Sequence, residues 1–362
     1  MRRSSSITAV AGLVAVLAGC HREPEMIPMM ERTIYTTDRF YDVEALSTER
    51  AIVVGYGGKI IETTNGGRTW QRLESGVDDA LFSVYFADDE HGWVTGQDGL
   101  ILHTTDGGKT WRKQESNAVF TELDGSTNLA YLFSITGLDA ERLWAVGDRS
   151  MLVRTTDGGA TWTSSQVKMQ ADLSGGEGMA AADPVFYDVA FADADRGWIV
   201  GEFGKIMSTR DGGATWAEQN RSLLEGTGFF DPLDLPSLFG VFVIDPNHVV
   251  ASGLEGHVAR TMDGGEVWGY DESDVEIPLL DPLFDLVQLP DGTGWAVGAA
   301  GEVMRREPGA EAVWRRSGMA SDVSTWLRAI EFSDPQHGWM VGGFGLIFRT
   351  TDGGTTWLPA QG

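Results

Sequence analysis

The sequence predicts an all-β fold, a seven-bladed β-propeller built from four-stranded antiparallel blades. An eight-residue motif recurs seven times, and its closing tryptophans are 41 to 54 residues apart. A period of this length is typical of repeat architectures, and each repeat holds four short apolar runs separated by turn residues. Four short strands per repeat is the pattern of a propeller blade. No segment shows a convincing helical period, so we expect few helices.

The motif is best preserved at 104–111, which reads Thr-Thr-Asp-Gly-Gly-Lys-Thr-Trp. Its aspartate can bond its own backbone and its glycines can adopt positive φ, as a tight hairpin turn requires. The tryptophan then starts a strand with a large apolar anchor. The seven copies are 63–70, 104–111, 155–162, 209–216, 261–268, 305–314 and 350–357. We predict that the aspartates of these turns are architectural, and that the sixth copy, which lacks Asp-Gly-Gly, is the most irregular.

The pattern Asp-x-Gly-x-Thr-Trp resembles the Asp-box, or BNR repeat, which in other families is a turn between the outer strands of a propeller blade. The longer unit 86–96, with its Gly-Trp and Val-Thr-Gly elements, is similar to the photosystem II assembly and stability factor family. The match covers roughly 38–360. This resemblance implies a non-catalytic binding scaffold that assists the assembly or stability of a membrane protein complex. The partner it implies is a membrane protein, and no cofactor is expected.

Alignment of the repeats divides the propeller domain, 38–362, into seven blades. The predicted blades are 38–73, 80–113, 130–165, 185–219, 237–270, 282–316 and 326–360. Blade 1 and blade 7 must meet to close the ring, and 33–37 is a candidate outer strand at that closure. A closed array of this kind counts as one domain, and we expect a monomer.

The first 19 residues read as a lipoprotein signal peptide. Two arginines precede an apolar stretch too short to span a bilayer, and Leu-Ala-Gly-Cys follows it. The tetrad resembles a bacterial lipobox, which implies lipid attachment at Cys20, the single cysteine of the chain. His21 follows where an aspartate would suggest inner-membrane retention, so the resemblance implies an outer-membrane lipoprotein facing the periplasm. Residues 20–37 then form a lipidated tether.

The composition excludes several partner and site classes. A net charge of −26 repels phosphate backbones, so nucleic acid is not an expected partner. The six histidines form no cluster with metal-ligand spacing, and we predict no metal site. No nucleophile-elbow motif occurs. The enzymatic alternative is a sialidase-like glycoside hydrolase, because such enzymes also carry Asp-boxes on propellers, but the Arg-Ile-Pro segment typical of that family is absent.

The first strands of the blades share two columns of residues. The aromatic column is Tyr41, Phe82, Phe133, Tyr187, Phe239, Phe284 and then Arg328. The small or acidic column is Asp42, Ser83, Ser134, Asp188, Gly240, Asp285 and Ala329. Strand alternation predicts that the two columns lie on opposite faces of each blade, where they pack neighbouring blades. The alternative is that the three aspartates form a cation site in the channel.

Strand parity assigns the turns to two faces. The box turns and the first-to-second strand turns share one side, which we call the box face. The second-to-third strand turns and the links between blades share the other, the link face. The link 220–236 is long and apolar, and we predict Phe229 and Phe230 as partner-binding residues there. The alternative is that the links only cover the channel mouth.

A third column stands three residues before each box aspartate, on the third strand of the blade. Four of its seven members are arginines, namely Arg154, Arg260, Arg305 and Arg349. On an acidic protein these arginines are candidates to bind an acidic partner. The alternative is that each stacks on a box tryptophan and steadies its own blade.

Overall fold

A computed structural model shows the predicted all-β, seven-bladed propeller. It describes residues 32–122, 124–168, 183–227, 232–273, 280–309, 313–317 and 323–360. Each blade is a four-stranded sheet whose strands lie side by side in chain order, and every pair is antiparallel. The fold class and the blade boundaries are therefore confirmed.

Blades 1 to 3 occupy the first half of the chain. Blade 1 consists of β1 (Phe40–Glu44), β2 (Ala51–Gly55), β3 (Lys59–Thr63) and β4 (Gln71–Glu74). Blade 2 consists of β5 (Leu81–Phe86), β6 (Gly92–Gly96), β7 (Ile101–Thr104) and β8 (Arg112–Gln114). A separate hairpin follows, made of β9 (Val119–Thr121) and β10 (Thr127–Leu129). Blade 3 consists of β11 (Leu132–Gly137), β12 (Leu143–Gly147), β13 (Met151–Thr155) and β14 (Thr163–Gln166).

Blades 4 and 5 are separated by the one α-helix among the described residues, α1 (Arg221–Thr227). Blade 4 consists of β15 (Phe186–Phe191), β16 (Gly197–Gly201), β17 (Ile206–Thr209) and β18 (Ala217–Glu218). Blade 5 consists of β19 (Leu238–Val243), β20 (Val249–Gly253), β21 (Val258–Thr261) and β22 (Trp268–Tyr270). Blade 6 consists of β23 (Leu283–Gln288), β24 (Gly294–Gly298), β25 (Val303–Arg306) and β26 (Trp314–Arg316). Blade 7 consists of β27 (Leu327–Phe332), β28 (Gly338–Gly342), β29 (Ile347–Thr350) and β30 (Leu358–Pro359).

Short 3₁₀ turns supplement the strands, most of them between a second and a third strand. They are Gln97–Gly99, Asp148–Ser150, Glu202–Gly204, Pro232–Asp234, Leu254–Gly256 and Ala299–Gly301. No helix in the described part of the chain is both long enough and apolar enough to cross a bilayer.

The second strand of each blade is buried along its whole length. Each of these strands ends on a glycine because the chain entering the first strand passes very close to it. At Gly147, an added Cβ would stand 1.7 Å from the carbonyl oxygen of Tyr131. The core itself lies between blades: Trp93 of blade 2, for example, packs in one cluster with Ile135 and Val153 of blade 3.

The ring closes by packing and not by an added strand. Residues 33–37 contain a turn and no strand, so the predicted closing strand is wrong. Blades 1 and 7 are each complete, and a shared core cluster joins them. In that cluster the edge of Trp339 meets Trp70 with ring centroids 5.6 Å apart. The irregular box of blade 6 extends over 310–312, outside the described residues.

Candidate functional site

The aromatic column closes the channel near the link face. Its six rings follow one another around the axis, with neighbouring centroids 4.9 to 6.0 Å apart. Arg328 takes the seventh place, with its guanidinium carbon 5.3 Å from the centre of the Phe284 ring. Only a cavity of about 80 Å³ remains on the axis. The first strands start at the link face, so this ring forms the floor of the mouth on that side.

The small or acidic column also lines the axial cavity, so the predicted placement of the two columns on opposite faces is wrong. The reason is a register shift in the first strand of each blade, as between Phe40 and Asp42. A bulge of this kind inserts one residue and breaks the alternation. The bulged residue is the aromatic one, and the residue after it faces the same channel.

Three aspartates of this column join neighbouring blades. Asp42 accepts hydrogen bonds from the backbone N–H of Val43, at 2.8 Å, and of Val84 in blade 2, at 2.9 Å. Asp188 and Asp285 repeat the arrangement toward blades 5 and 7. Burial is the main cause that raises the pKa of Asp42 to about 6 and that of Asp285 to about 7.

These bonds argue against the alternative of a cation site. Among the described residues no group of three or more histidine, cysteine or acidic side chains could hold a metal ion. The channel already contains a cation of its own, Arg328. Burial raises the pKa of Asp188, and the positive charge of Arg328 opposes part of that rise. The aspartates therefore act between blades.

Two buried glutamates, Glu331 of blade 7 and Glu44 of blade 1, lie at the closure between these blades. Glu331 accepts a hydrogen bond from the backbone N–H of Ala45, and Glu44 accepts one from Phe86, at 3.1 Å. Burial raises the pKa of Glu331 to about 8 and raises that of Glu44 well above its usual range, with the neighbouring carboxyl adding to the rise for Glu44. Protonation of Glu331 is thus favoured in the folded protein at neutral pH.

The arginine column is used largely within the propeller. The guanidinium of Arg305 lies 5.3 Å from the Trp295 ring and that of Arg349 lies 5.4 Å from the Trp339 ring. The predicted stacking of these arginines on box tryptophans is wrong. Each arginine stacks instead on the Gly-Trp tryptophan directly opposite on the second strand.

Polar bonds engage the same arginines further. Arg260 forms an ion pair with Asp271 at 2.9 Å, and Arg349 donates to the backbone carbonyls of Gly66 and Thr48 in blade 1. Arg305 pairs with Glu307. Only the half-buried Arg154 has a guanidinium without an ion pair or hydrogen bond to described residues. The structure does not present the four arginines as one free cationic patch.

The box aspartates have the architectural contacts that the sequence predicts. Asp106 accepts hydrogen bonds from the Thr110 N–H at 2.9 Å, the Thr110 hydroxyl at 2.7 Å and the Thr104 hydroxyl at 2.8 Å. These bonds, those from Thr110 foremost, lower the pKa of Asp106 to about 2. The same contacts recur around Asp157, Asp211 and Asp352.

The link face carries exposed aromatic residues that the sequence analysis missed. Tyr35, Tyr56 and Phe344 are 47%, 60% and 62% exposed, and we call them the seam patch because they flank the junction of blades 7 and 1. Residues 34–39 connect them: Gly345 N–H donates to the Asp38 carbonyl, and the Tyr56 N–H to the Arg39 carbonyl. The sequence did carry a signal for this surface, because Phe344 stands between two glycines and is therefore expected in a turn.

Phe229 and Phe230 lie outside the described residues, and their role stays a prediction. The described part of the link 220–236 is more than a surface loop. Leu223 and Leu235 are buried and pack in the core cluster of blades 4 and 5. Part of this link is therefore structural.

The chain matches known proteins over more than half of its length. The family model described as Photosynthesis system II assembly factor YCF48 matches residues 26–118, 69–182 and 177–235, together more than half of the chain. A curated protein from Synechococcus sp. (strain CC9902), named Photosystem II assembly lipoprotein Ycf48, is 28% identical over 224 residues, or 59% of this chain. The chain spans 57% of that relative's length.

Solved propellers resemble it along nearly the whole chain. YCF48 bound to D1 peptide superposes with a TM-score of 0.64 at 21% identity, covering 87% of this chain and 94% of that one. An ancestral GH74 enzyme superposes with a TM-score of 0.67 at 12% identity, covering 90% of this chain and 47% of that one. At these identities the likeness establishes the fold alone, and a fold shared by an assembly factor and an enzyme does not decide function.

Proposed function

The chain belongs to the Photosynthesis system II assembly factor YCF48 family, and we propose that it is a non-catalytic scaffold that helps assemble or stabilise a membrane protein complex. The observation that carries this proposal is the family match. The relative that binds D1 peptide has the same fold and supports a peptide segment of a membrane protein as the ligand.

We propose the link face, at the seam patch, as the surface that receives this segment. Loops on one face of a rigid scaffold are the usual place for binding. Exposed aromatic residues offer large contact area at low entropic cost, and here Arg39 lies over the Tyr56 ring at 5.6 Å. The box face offers less, because its aspartates and most of its arginines already have partners within the chain.

The location proposed for the protein is the outer membrane, facing the periplasm, through a lipid on Cys20. The name of the curated relative, a lipoprotein, supports membrane anchoring. Metabolic labelling with a palmitate analogue should mark the wild type and leave Cys20→Ala unmarked, and fractionation should place the wild type with the membrane. Recovery of the wild type as a soluble periplasmic protein would contradict this location.

A pull-down from solubilised membranes tests the partner and the face together. We expect the tagged protein to retain a membrane protein that a Tyr56→Ser, Phe344→Ser double variant loses. Arg154→Gln is the matched control on the box face. The substitution breaks no ion pair or hydrogen bond to described residues, so it should leave the fold intact, and the variant should retain the partner if the link face is the binding surface. The opposite pattern would move recognition to the arginine column.

Point substitutions are also the way to test Phe229 and Phe230. Deleting 220–236 would remove the buried Leu223 and Leu235, so it would damage the core along with any surface. A Phe229→Ser, Phe230→Ser variant leaves both leucines in place. If that variant loses the partner and the seam-patch variant keeps it, the binding surface belongs at the link of blades 4 and 5.

The glycoside hydrolase is the second candidate, and no contact in the described residues favours it. Catalysis there would require carboxylates free to act on a sugar. The channel aspartates instead accept backbone hydrogen bonds from two blades. Hydrolysis of a sialoside or another glycoside by the purified protein, with no partner in the pull-down, would overturn the scaffold proposal.

A further inference from the structure

Five junctions between described blades share one contact on the box face, in which the carbonyl of the first box glycine accepts a hydrogen bond from a side chain of the preceding blade. At the junctions of blades 2 and 3 and of blades 3 and 4 the donors are Gln114 and Trp144. At the junction of blades 7 and 1 the donor is Arg349, 3.0 Å from the Gly66 oxygen. At the junction of blades 1 and 2 it is Arg50, 2.8 Å from the Gly107 oxygen. A guanidinium thus fills the groove between neighbouring blades at both places.

The junction of blades 4 and 5 lacks this guanidinium. Ser208 stands at the position of Arg349, because each lies opposite the Gly-Trp tryptophan of its blade. The carbonyl of Gly264, the first box glycine of blade 5, receives only a long contact of 3.4 Å from Gln219. Ser208 is 7% exposed and borders a cavity at this junction.

A cavity of about 490 Å³ lies at this junction. Ser208, Gln219 and Gly265 border it, together with Glu218 and Glu266. Two arginines also stand at its border, but both are exposed and paired: Arg210 bonds Glu266 at 2.8 Å, and Arg221 bonds Glu225 at 3.1 Å. Neither occupies the place that Arg349 fills in blade 7.

The surface beside the cavity differs from the other boxes as well. Met262 and Val267 are 62% and 59% exposed, in the same turn as Glu266. Five other boxes have threonine at the position of Val267, and in four of them the threonine hydroxyl bonds the box aspartate. Blade 5 lacks that hydrogen bond and exposes an apolar surface instead. The junction therefore combines a polar cavity with two exposed apolar side chains.

We propose that this cavity binds the guanidinium group of an arginine supplied by another protein, with an apolar neighbour of that arginine resting on Met262 and Val267. The cavity offers the under-used Gly264 carbonyl and the carboxylates of Glu218 and Glu266, which a guest guanidinium would share with Lys205 and Arg210. Such acceptors suit a planar group with five donors. The net charge of −26 favours a basic partner. The site is on the box face and does not depend on the proposed role of the link face.

Filling the cavity from within the chain is the first test. Ser208→Arg should place a guanidinium as Arg349 does in blade 7 and raise the Tm by a few degrees. Ser208→Gln, which adds bulk without charge, is the control and should give a smaller gain or none. A Tm that falls in Ser208→Arg, or rises no more than in the glutamine control, would contradict a guanidinium-shaped site.

A titration of the wild type supplies the second test, independent of any fold effect of the arginine variant. The probe is acetyl-Leu-Arg-Leu-amide, and its citrulline analogue keeps the shape but removes the charge. Backbone NMR shifts at Ser208 and Gly265 should saturate with the arginine peptide, and the citrulline peptide should bind about tenfold more weakly or worse. Ser208→Ala should retain the response. Equal binding of both peptides, or shifts confined to other surfaces, would overturn the proposal.

Discussion

The two faces of the propeller are built from the same seven repeats but use their side chains differently. On the box face, Asp106 accepts three hydrogen bonds within its own turn, and Arg349 reaches across to blade 1. On the link face, Tyr56 and Phe344 project into solvent. The repeat thus fixes the fold with one face and leaves the other available for contact.

Backbone geometry sharpens this contrast. In six blades the second-to-third strand turn places a residue other than glycine in the left-handed region at one equivalent position, with φ of 53° to 59°. These residues are Asp98, Arg149, Phe203, Glu255, Ala300 and Phe344. Such a conformation costs about 1 to 2 kcal/mol for a residue with a Cβ. Blade 1 uses Gly57 at the same place, so the fold permits glycine, and strain of this kind points toward function.

Removing a box tryptophan should have the largest effect on stability. Trp162 is 5% exposed, packs in the core between blades 2 and 3, and donates from its indole N–H to Gln114 at 2.9 Å. Trp162→Ala should lower the free energy of unfolding by about 3 to 5 kcal/mol, because it leaves a cavity. Denaturant unfolding measures the loss. Partner binding should persist at temperatures where the variant is folded.

The matched change on the link face is Tyr56→Ala. Because Tyr56 is largely exposed, this change should shift the free energy of unfolding by no more than about 0.5 kcal/mol. It should weaken binding of the partner. A large loss of stability at Tyr56, or loss of the partner in folded Trp162→Ala, would break the division between the faces.

The sequence predicted the fold and the blade boundaries because the repeat is dominated by local chemistry, the turn glycines and the strand-length apolar runs. It failed where one residue changes the register. The bulge after Phe40 turns Asp42 into the channel, and nothing in the local pattern marks it. The stacking of Arg349 on Trp339 was missed because it depends on which residues face each other across two strands.

The candidate surfaces were harder to predict than the fold. The arginine column could be found by alignment, yet its engagement with Asp271 and with Gly66 depends on contacts between elements far apart in sequence. The seam patch brings Tyr35 together with Phe344 from opposite ends of the propeller. Only closure of the ring creates that surface.

The acidic closure between blades 7 and 1 should make stability depend on pH. The pKa of Glu331 in the folded protein, about 8, lies above its ordinary value of 4.5, so the fold resists ionisation of this carboxyl. Its contribution is fully present below pH 4.5 and is lost as pH rises through about 8. Between pH 6 and pH 8, the wild type should lose on the order of 2 kcal/mol relative to Glu331→Gln.

The glutamine variant isolates this effect from the histidines. Burial lowers the pKa of His103 to about 4, so His103 acts with the opposite sign, because its charging in the unfolded chain destabilises the fold as pH falls below about 6.5. That contribution is common to both proteins and cancels in the difference. Parallel Tm curves for wild type and Glu331→Gln from pH 6 to pH 8 would contradict the assignment.

A smaller effect is expected where one outer strand meets the next box. Gln114 accepts the Trp162 indole N–H and donates to the Gly158 carbonyl, whereas Leu73 stands at the equivalent position of blade 1 and the Trp111 indole N–H has no partner among the described residues. Gln114→Leu should lower the free energy of unfolding by about 1 to 2 kcal/mol, because both of these hydrogen bonds of the amide are lost. Leu73→Gln should recover part of that stabilisation in blade 1, because the new amide can accept the Trp111 indole N–H. A gain of stability in Gln114→Leu would show that apolar contact governs this junction. Urea titrations of both variants measure the pair.

The last expected change in stability has the opposite sign, and it lies on the link face. Phe344 has φ of 59°, where glycine is free of strain, so Phe344→Gly should raise the free energy of unfolding by about 1 kcal/mol or less. Ala300→Gly is the matched control, because it relieves the same strain, at φ of 53°, without removing an aromatic ring. Both variants should have a slightly higher Tm than the wild type, but only Phe344→Gly should lose the membrane partner. If both variants retain the partner equally, the strain at Phe344 belongs to the turn alone and the seam patch is not the binding surface. If both become less stable, the left-handed turns do not store strain, and the contrast between the two faces rests on exposure only.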